Sequence, residues 1–209
     1  NNGINIGITT DIDGATRAAA PDMGADEFPA NSIDAAVVAL RSPSGTVVTA
    51  GSPYTVKITI RNYGISTLTS VVANFSVNGG APVSQLFTTA SGLPAGGLLP
   101  CDTVQLTFSS VATFTNGLNI FRAFVGNSNG LPDQYNLNDT LTSNYCTPFS
   151  GTFTINRLAP ASTTNFVSFT SAVSSLYSCG VNGPVILRVA QGSGPYNEQI
   201  LFNGVISGS

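Results

Sequence analysis

Five of the ten acidic residues, Asp11, Asp13, Asp22, Asp26 and Glu27, fall within 17 positions near the start of the chain. Hard cations take carboxylate and carbonyl oxygens, and Asp11-Ile12-Asp13-Gly14 opens in the way a calcium loop does, so Asp11 and Asp13 form a candidate Ca2+ site. The D-x-D-x-D-G spacing of an EF-hand, with its later glutamate, is not met. The competing reading is structural and is the one favoured: Asx turns that close the end of a domain, with Arg17 paired to Asp26 or Glu27. Beyond this Ca2+ candidate no cofactor is expected.

Other chemistry is thinly supplied. The chain has no histidine, which removes Ser-His-Asp and Cys-His nucleophile systems and the common imidazole zinc sites. Lys57 is the only lysine and lies in a strand-like stretch, while Glu198 has no second carboxylate near it in sequence. Acid–base work on sugars normally takes a pair of carboxylates held several ångströms apart. Glu198 and Arg188 therefore read as surface or turn residues, and no enzyme is expected. Seven Lys and Arg against ten Asp and Glu give a net charge of −3, too few cations for binding that depends on neutralising phosphates. A nucleic acid partner is not expected. Nothing in the sequence forms an apolar run long enough to span a bilayer as a helix.

The elements that would position such residues are strands. The chain of 209 residues is 42% hydrophobic, with 22 Gly and 12 Pro, and Thr, Ser, Asn and Val are abundant. That mixture favours strands and turns. Only 8% of residues are charged, against roughly 25% in ordinary soluble proteins. Strand edges thus lack the charged guards that prevent sheet-to-sheet association. We expect the edges to be covered by neighbouring modules, surface glycans or sister subunits, as suits an extracellular structural protein.

Three segments follow one another. Residues 1–30 are turn-rich and read as the end of a domain. Residues 31–147 alternate with a period of two: Tyr54, Val56, Ile58 and Ile60; Val71, Ala73, Phe75 and Val77; Val104, Leu106 and Phe108. Turn signals such as Asn78-Gly79 and Asn116-Gly117 separate them. The spacing predicts seven strands at 34–41, 53–61, 69–78, 83–88, 103–109, 118–126 and 138–145, a β-sandwich. If successive strands run up and down, an odd number places the two chain ends at opposite poles, in line with neighbouring modules. Residues 148–209 hold a strand at Gly151–Ile155 and a short amphipathic helix carrying Phe166, Phe169, Val173 and Leu176. Further strand-like pieces follow at Val185–Val189, Ile200–Phe202 and Val205–Ile206, like the rungs of a solenoid behind a helical cap.

Particular residues carry a family resemblance. Asp11–Arg17 (DIDGATR) with Pro21–Phe28 (PDMGADEF) resembles the closing segment of right-handed parallel β-helix domains in secreted surface proteins of Bacteroidota-type bacteria. Gly151–Ile155, the helix pattern Phe166 to Leu176, Cys179–Leu187 (CGVNGPVIL) and Tyr196–Ile200 (YNEQI) resemble the opening of the same class. The middle, with VKITIRNYG, VNGGAPV and NLNDTL, is similar to the bacterial cell-adhesion-related Ig-like domain. The resemblance implies an all-β chain in which an Ig-like sandwich joins the end of one β-helix to the capped start of another. It further implies one unit of a tandem array, a repeat segment of a surface filament or giant adhesin exported by type IX secretion. The alternative is a secreted β-helix protein that binds or degrades polysaccharide, with the Ig-like domain as spacer. Asp102-Thr103-Val104 and Asp139-Thr140-Leu141 match the O-glycosylation context of that bacterial group, which makes Thr103 and Thr140 candidate acceptors. Asn74-Phe75-Ser76 and Asn138-Asp139-Thr140 fit the N-x-S/T form.

Three cysteines leave one without an intrachain partner. Cys101 begins the fifth predicted strand and Cys146 ends the seventh, at opposite poles in an up-and-down arrangement, and a disulfide needs Cα atoms within roughly 7 Å. Cys146 and Cys179 flank the helical cap, where a bond would be worth about 3 kcal/mol in the chain-entropy view. We expect the Cys146–Cys179 pair with Cys101 free; three buried, unpaired thiols are the alternative. Phe166, Phe169, Tyr177 and Tyr196 suggest a sugar-stacking patch, although helical spacing favours core packing.

Overall fold

The computed structural model describes residues 31–202 and 204–208, together with 4, 6–10, 12, 16 and 17 of the opening segment. Asp11 and Asp13, and most of the segment read as the end of a domain, lie outside the described residues.

Alternating side chains build seven strands: β1 (Ala35–Ser42), β2 (Tyr54–Asn62), β3 (Ser70–Val77), β4 (Val83–Thr88), β5 (Thr103–Ala112), β6 (Gly117–Ser128) and β7 (Thr140–Thr147). They form two antiparallel sheets, ordered β1-β2-β5 and β4-β3-β6-β7. β5 lies beside β2 although β3 and β4 intervene in sequence, so the chain crosses between sheets as in a Greek key. Val56, Ile58 and Ile60 of one sheet and Val71, Ala73, Phe75, Phe121 and Ala123 of the other enter a single core. Phe75 stacks on Phe121, with centroids 5.7 Å apart, and meets Phe108 edge-on at 5.0 Å. The arrangement is an immunoglobulin-like sandwich with its fourth strand moved to the second sheet. At the turn after β3, Asn78 and Gly79 both take positive φ, 52° and 70°, the conformation that Asn-Gly adopts at least cost.

A single residue, Pro148, separates β7 from β8 (Phe149–Ile155). β8 is flanked on one side by β9 (Asn165–Phe166) and on the other by β10 (Val181–Val189), both parallel to it. Between β9 and β10 runs the helix α1 (Phe169–Cys179). It begins at Phe169 because Ser168 caps it, its side chain accepting from the backbone N–H of Ser171 at 2.9 Å. Ala172, Val173, Leu176 and Cys179 are its buried positions, and Leu176 and Cys179 pack with Phe149 and Phe153 in a second, smaller core. Phe166, included in the helical pattern of the sequence, sits instead in β9 and packs beside Phe149 and Phe153. The strand expected at Ile200–Phe202 is not formed, and Leu201 and Phe202 are exposed.

Candidate functional site

At one pole of the sandwich the loop between β6 and β7 folds back on the start of β1. Asp133 Oδ2 accepts the backbone N–H of Ala35 at 2.7 Å, and its Oδ1 accepts that of Tyr135 at 2.9 Å. Gln134 completes the clasp: its Oε1 accepts from Ile33 N–H and its own N–H donates to Ile33 O, each at 3.0 Å. Asp34, 5% exposed, accepts from Asn138 Nδ2 at 2.9 Å and from Asn31 Nδ2 at 3.3 Å. Asp139 follows, 9% exposed, at the foot of β7. Burial, then the neighbouring charges of Asp133 and Asp34, raise its carboxyl from an ordinary 3.8 to about 6.

A raised carboxyl makes stability fall as pH rises. Between about pH 4 and 6 the folded chain holds a proton at Asp139 that the unfolded chain releases, so the penalty is fully present above 6. Asp139→Asn should flatten that slope and stabilise the metal-free protein at pH 7.5 by about 1 kcal/mol, less than the shift alone implies because solvent still screens the group. Urea unfolding in EDTA at pH 4.5 and 7.5 checks it; an unchanged slope in the variant would refute the assignment.

Glu198, read as a turn residue, has a definite task. Its Oε2 accepts from Thr170 N–H at 2.8 Å and from Thr170 Oγ1 at 2.6 Å, while Oε1 accepts from Phe169 N–H at 3.2 Å. The carboxylate thus serves the unpaired amides and positive end of α1. Hydrogen bonds from Thr170 lead the causes that hold its pKa below the usual 4.5. A lowered carboxyl stabilises above the unfolded pKa, and the effect is lost as pH falls through the folded one. Glu198→Gln should lower the protection of the Phe169 and Thr170 amides several-fold at neutral pH. Hydrogen-exchange NMR reads the change; unaltered protection would refute the capping role.

The remaining expected sites are placed as follows. Cys146 and Cys179 are bonded, with Cα atoms 5.0 Å apart, and Cys101 is free and exposed. Thr103 and Thr140 are exposed at the starts of β5 and β7. Asn74 is 6% exposed, its Oδ1 accepting from Ser84 Oγ, and is closed to a glycosylating enzyme. Lys57 lies in β2 and Arg188 in β10. The four aromatics do not form one platform: Phe166 belongs to the small core, Phe169 meets Tyr196 edge-on at 5.3 Å, and the Tyr177 hydroxyl donates to Gly204 O at 3.3 Å. Among the described residues no helix is long and apolar enough to cross a membrane.

No protein-family model and no curated protein matches the chain. Among solved structures it is similar to a CARDB domain from Pyrococcus furiosus, crystallised in complex with di-metal ions, at 18% identity and a TM-score of 0.40, over 58% of this chain and 94% of that one. The solution structure of that CARDB domain matches at 17% identity and a TM-score of 0.40, over 57% and 97%. A β-glucosidase from Listeria innocua matches at 12% identity and a TM-score of 0.30, over 59% of this chain and 17% of the enzyme. Likeness at this level concerns the course of the chain and carries nothing about ligand or activity.

Proposed function

We propose that this chain is a structural and adhesive segment of an extracellular bacterial surface protein, built to hold modules in line. The observation that carries the reading is the junction between sandwich and parallel sheet. One residue, Pro148, links β7 to β8, and the Cys146–Cys179 bond ties the end of β7 to the end of α1. Such a bond persists in oxidising surroundings outside the cell. Sandwich and capped sheet are thereby joined with almost no slack, so tension passes from one to the other through paired backbone.

The parallel sheet is read as the opening coil of a β-helix. Leu187 lies opposite Phe153, 34 residues earlier, as successive turns of a solenoid would. Val181, Val185 and Leu187 remain only half-buried and, with Leu176 and Ile206, line an apolar cavity of about 440 Å³ on which a further coil would stack. The exposed Thr103 and Thr140 leave room for O-linked sugars. Repeated modules in an array would make weak individual contacts effective through high local concentration.

Two measurements on the purified chain test the proposal. NMR relaxation should report one common tumbling time for sandwich and parallel sheet. Beads coated with the chain should adhere to cells or immobilised surface glycans without release of reducing sugar. Independent tumbling of the two parts, or turnover of a polysaccharide, would overturn the reading in favour of a secreted polysaccharide-active protein.

A further inference from the structure

We propose that Asp139, Asn138 and Asp34, with Asp133 beside them, form a binding site for a hard divalent cation of the Ca2+ kind.

Five acidic residues lie beyond the opening segment: Asp34, Asp102, Asp133, Asp139 and Glu198. Three of them gather at this one pole, and the charged groups acting on Asp139 are Asp133 and Asp34, both negative. The neighbouring carboxylates already have their donors. Both oxygens of Asp133 are taken by backbone N–H groups, and both of Asp34 by the amides of Asn31 and Asn138. Two oxygens beside them, Asn138 Oδ1 and Asp139 Oδ1, are buried and have no hydrogen-bond partner. Turning the Asn138 amide over does not help, because its oxygen would then face the Asp34 carboxylate. Buried acceptors without donors carry a cost, and here the shortage coincides with an excess of negative charge. A cation answers both at once, whereas a water molecule answers only the first.

The geometry also narrows the ion. No three carboxylate, Cys or His side chains among the described residues converge closely enough to hold a metal alone. The oxygen set is therefore mixed, carboxylate and amide, with water completing it. Ca2+ accepts six to eight oxygens in irregular arrangements, while Mg2+ demands a near-ideal octahedron. Bound there, the ion would fasten the β6–β7 loop to the start of β1. The site is separate from Asp11 and Asp13 in sequence.

The test titrates CaCl2 into the full chain by calorimetry, and follows thermal unfolding in about 5 mM CaCl2 against EDTA. Dissociation constants of extracellular calcium modules run about 10⁻⁴–10⁻³ M, for which a rise in Tm of roughly 4 °C is expected. Asp139→Asn and Asn138→Ala should each weaken binding about tenfold or more and cut the shift to half or less, by the loss of one ligand. Far-UV circular dichroism verifies that both variants fold. Asp11→Asn combined with Asp13→Asn should bind as the native chain does. The proposal is overturned by no heat and no shift up to about 10 mM Ca2+, by native affinity in either site variant, or by loss of binding in the Asp11/Asp13 variant instead.

Discussion

Replacing Cys146 and Cys179 together by serine should release α1 and β10 while leaving the sandwich folded. The two cysteines are 33 residues apart, and closing such a loop restricts the unfolded chain by roughly 3–4 kcal/mol in the entropic account. The small core that the bond serves contains four buried residues, Phe149, Phe153, Leu176 and Cys179. The sandwich is held by a separate and larger set that includes Phe75, Phe108, Phe114, Phe121 and Tyr145. Loss of the bond should therefore act locally, because the two sets of buried residues share no member. Amide protection in α1 and β10 should fall about a hundredfold or more, as a loss of that size implies, while β2, β3 and β6 keep theirs. Reduction of the native protein should give the same pattern. Cooperative collapse of the whole chain, or unchanged protection in α1, would contradict this division into two cores.

A second large effect is expected at Asn119, which is fully buried in β6. Its Oδ1 accepts from Asn78 Nδ2 at 2.9 Å, Thr115 N–H at 3.0 Å and Thr115 Oγ1 at 3.1 Å. Its Nδ2 donates to Thr115 O at 2.7 Å, and to Gly117 O and Thr147 Oγ1 at 2.9 Å each. Thr147 Oγ1 donates in turn to the carbonyls of Thr115 and Gly117. This one side chain holds the β5–β6 turn against the end of β7, next to the junction at Pro148. Asn119→Ala removes it and leaves several inward polar groups, the Thr115 N–H first among them, without partners. Each such group costs about 1–3 kcal/mol, so a total near 4 kcal/mol is expected. Chemical unfolding of the sandwich measures it, and Asn119→Asp should not restore stability, since a buried carboxylate cannot donate where Nδ2 did. A loss below about 1 kcal/mol would mean that water replaces the amide.

Strands were legible where one face is uniformly apolar. The predicted and observed bounds of β2, β3, β4 and β6 differ by at most two residues at either end, because Val56/Ile58/Ile60, Val71/Ala73/Phe75 and Phe121/Ala123/Val125 leave no choice of register. The predicted β5 stops three residues before the observed strand does. Its register against β2 shifts between Thr55 and Lys57, so Ser109 and Ser110 fall in a bulge and break the alternation before pairing resumes at Val111 and Ala112. The helix was visible from Phe169, Val173 and Leu176, but its start was set by Ser168, a cap whose hydrogen bonds no hydrophobic pattern records. The acidic pole was invisible for a different reason. Asp34 lies about 100 residues from Asp133 and Asp139, and only the fold brings them together. The sequence did offer an indirect sign, since in a chain with so few charges each buried carboxylate needs a reason. The neighbours of Glu198 in sequence likewise say nothing of its partners, the first amides of a helix 28 residues away.

The linkage at Pro148 bears on more than strength. With one intervening residue and a covalent brace, the capped sheet has little freedom to swivel about the long axis of the sandwich. In the array proposed above, each unit would then hand its azimuth to the next, and small fixed rotations would add up to a regular pitch. A fibre of this kind would present any given side chain along a helical track, with its spacing written into a single proline.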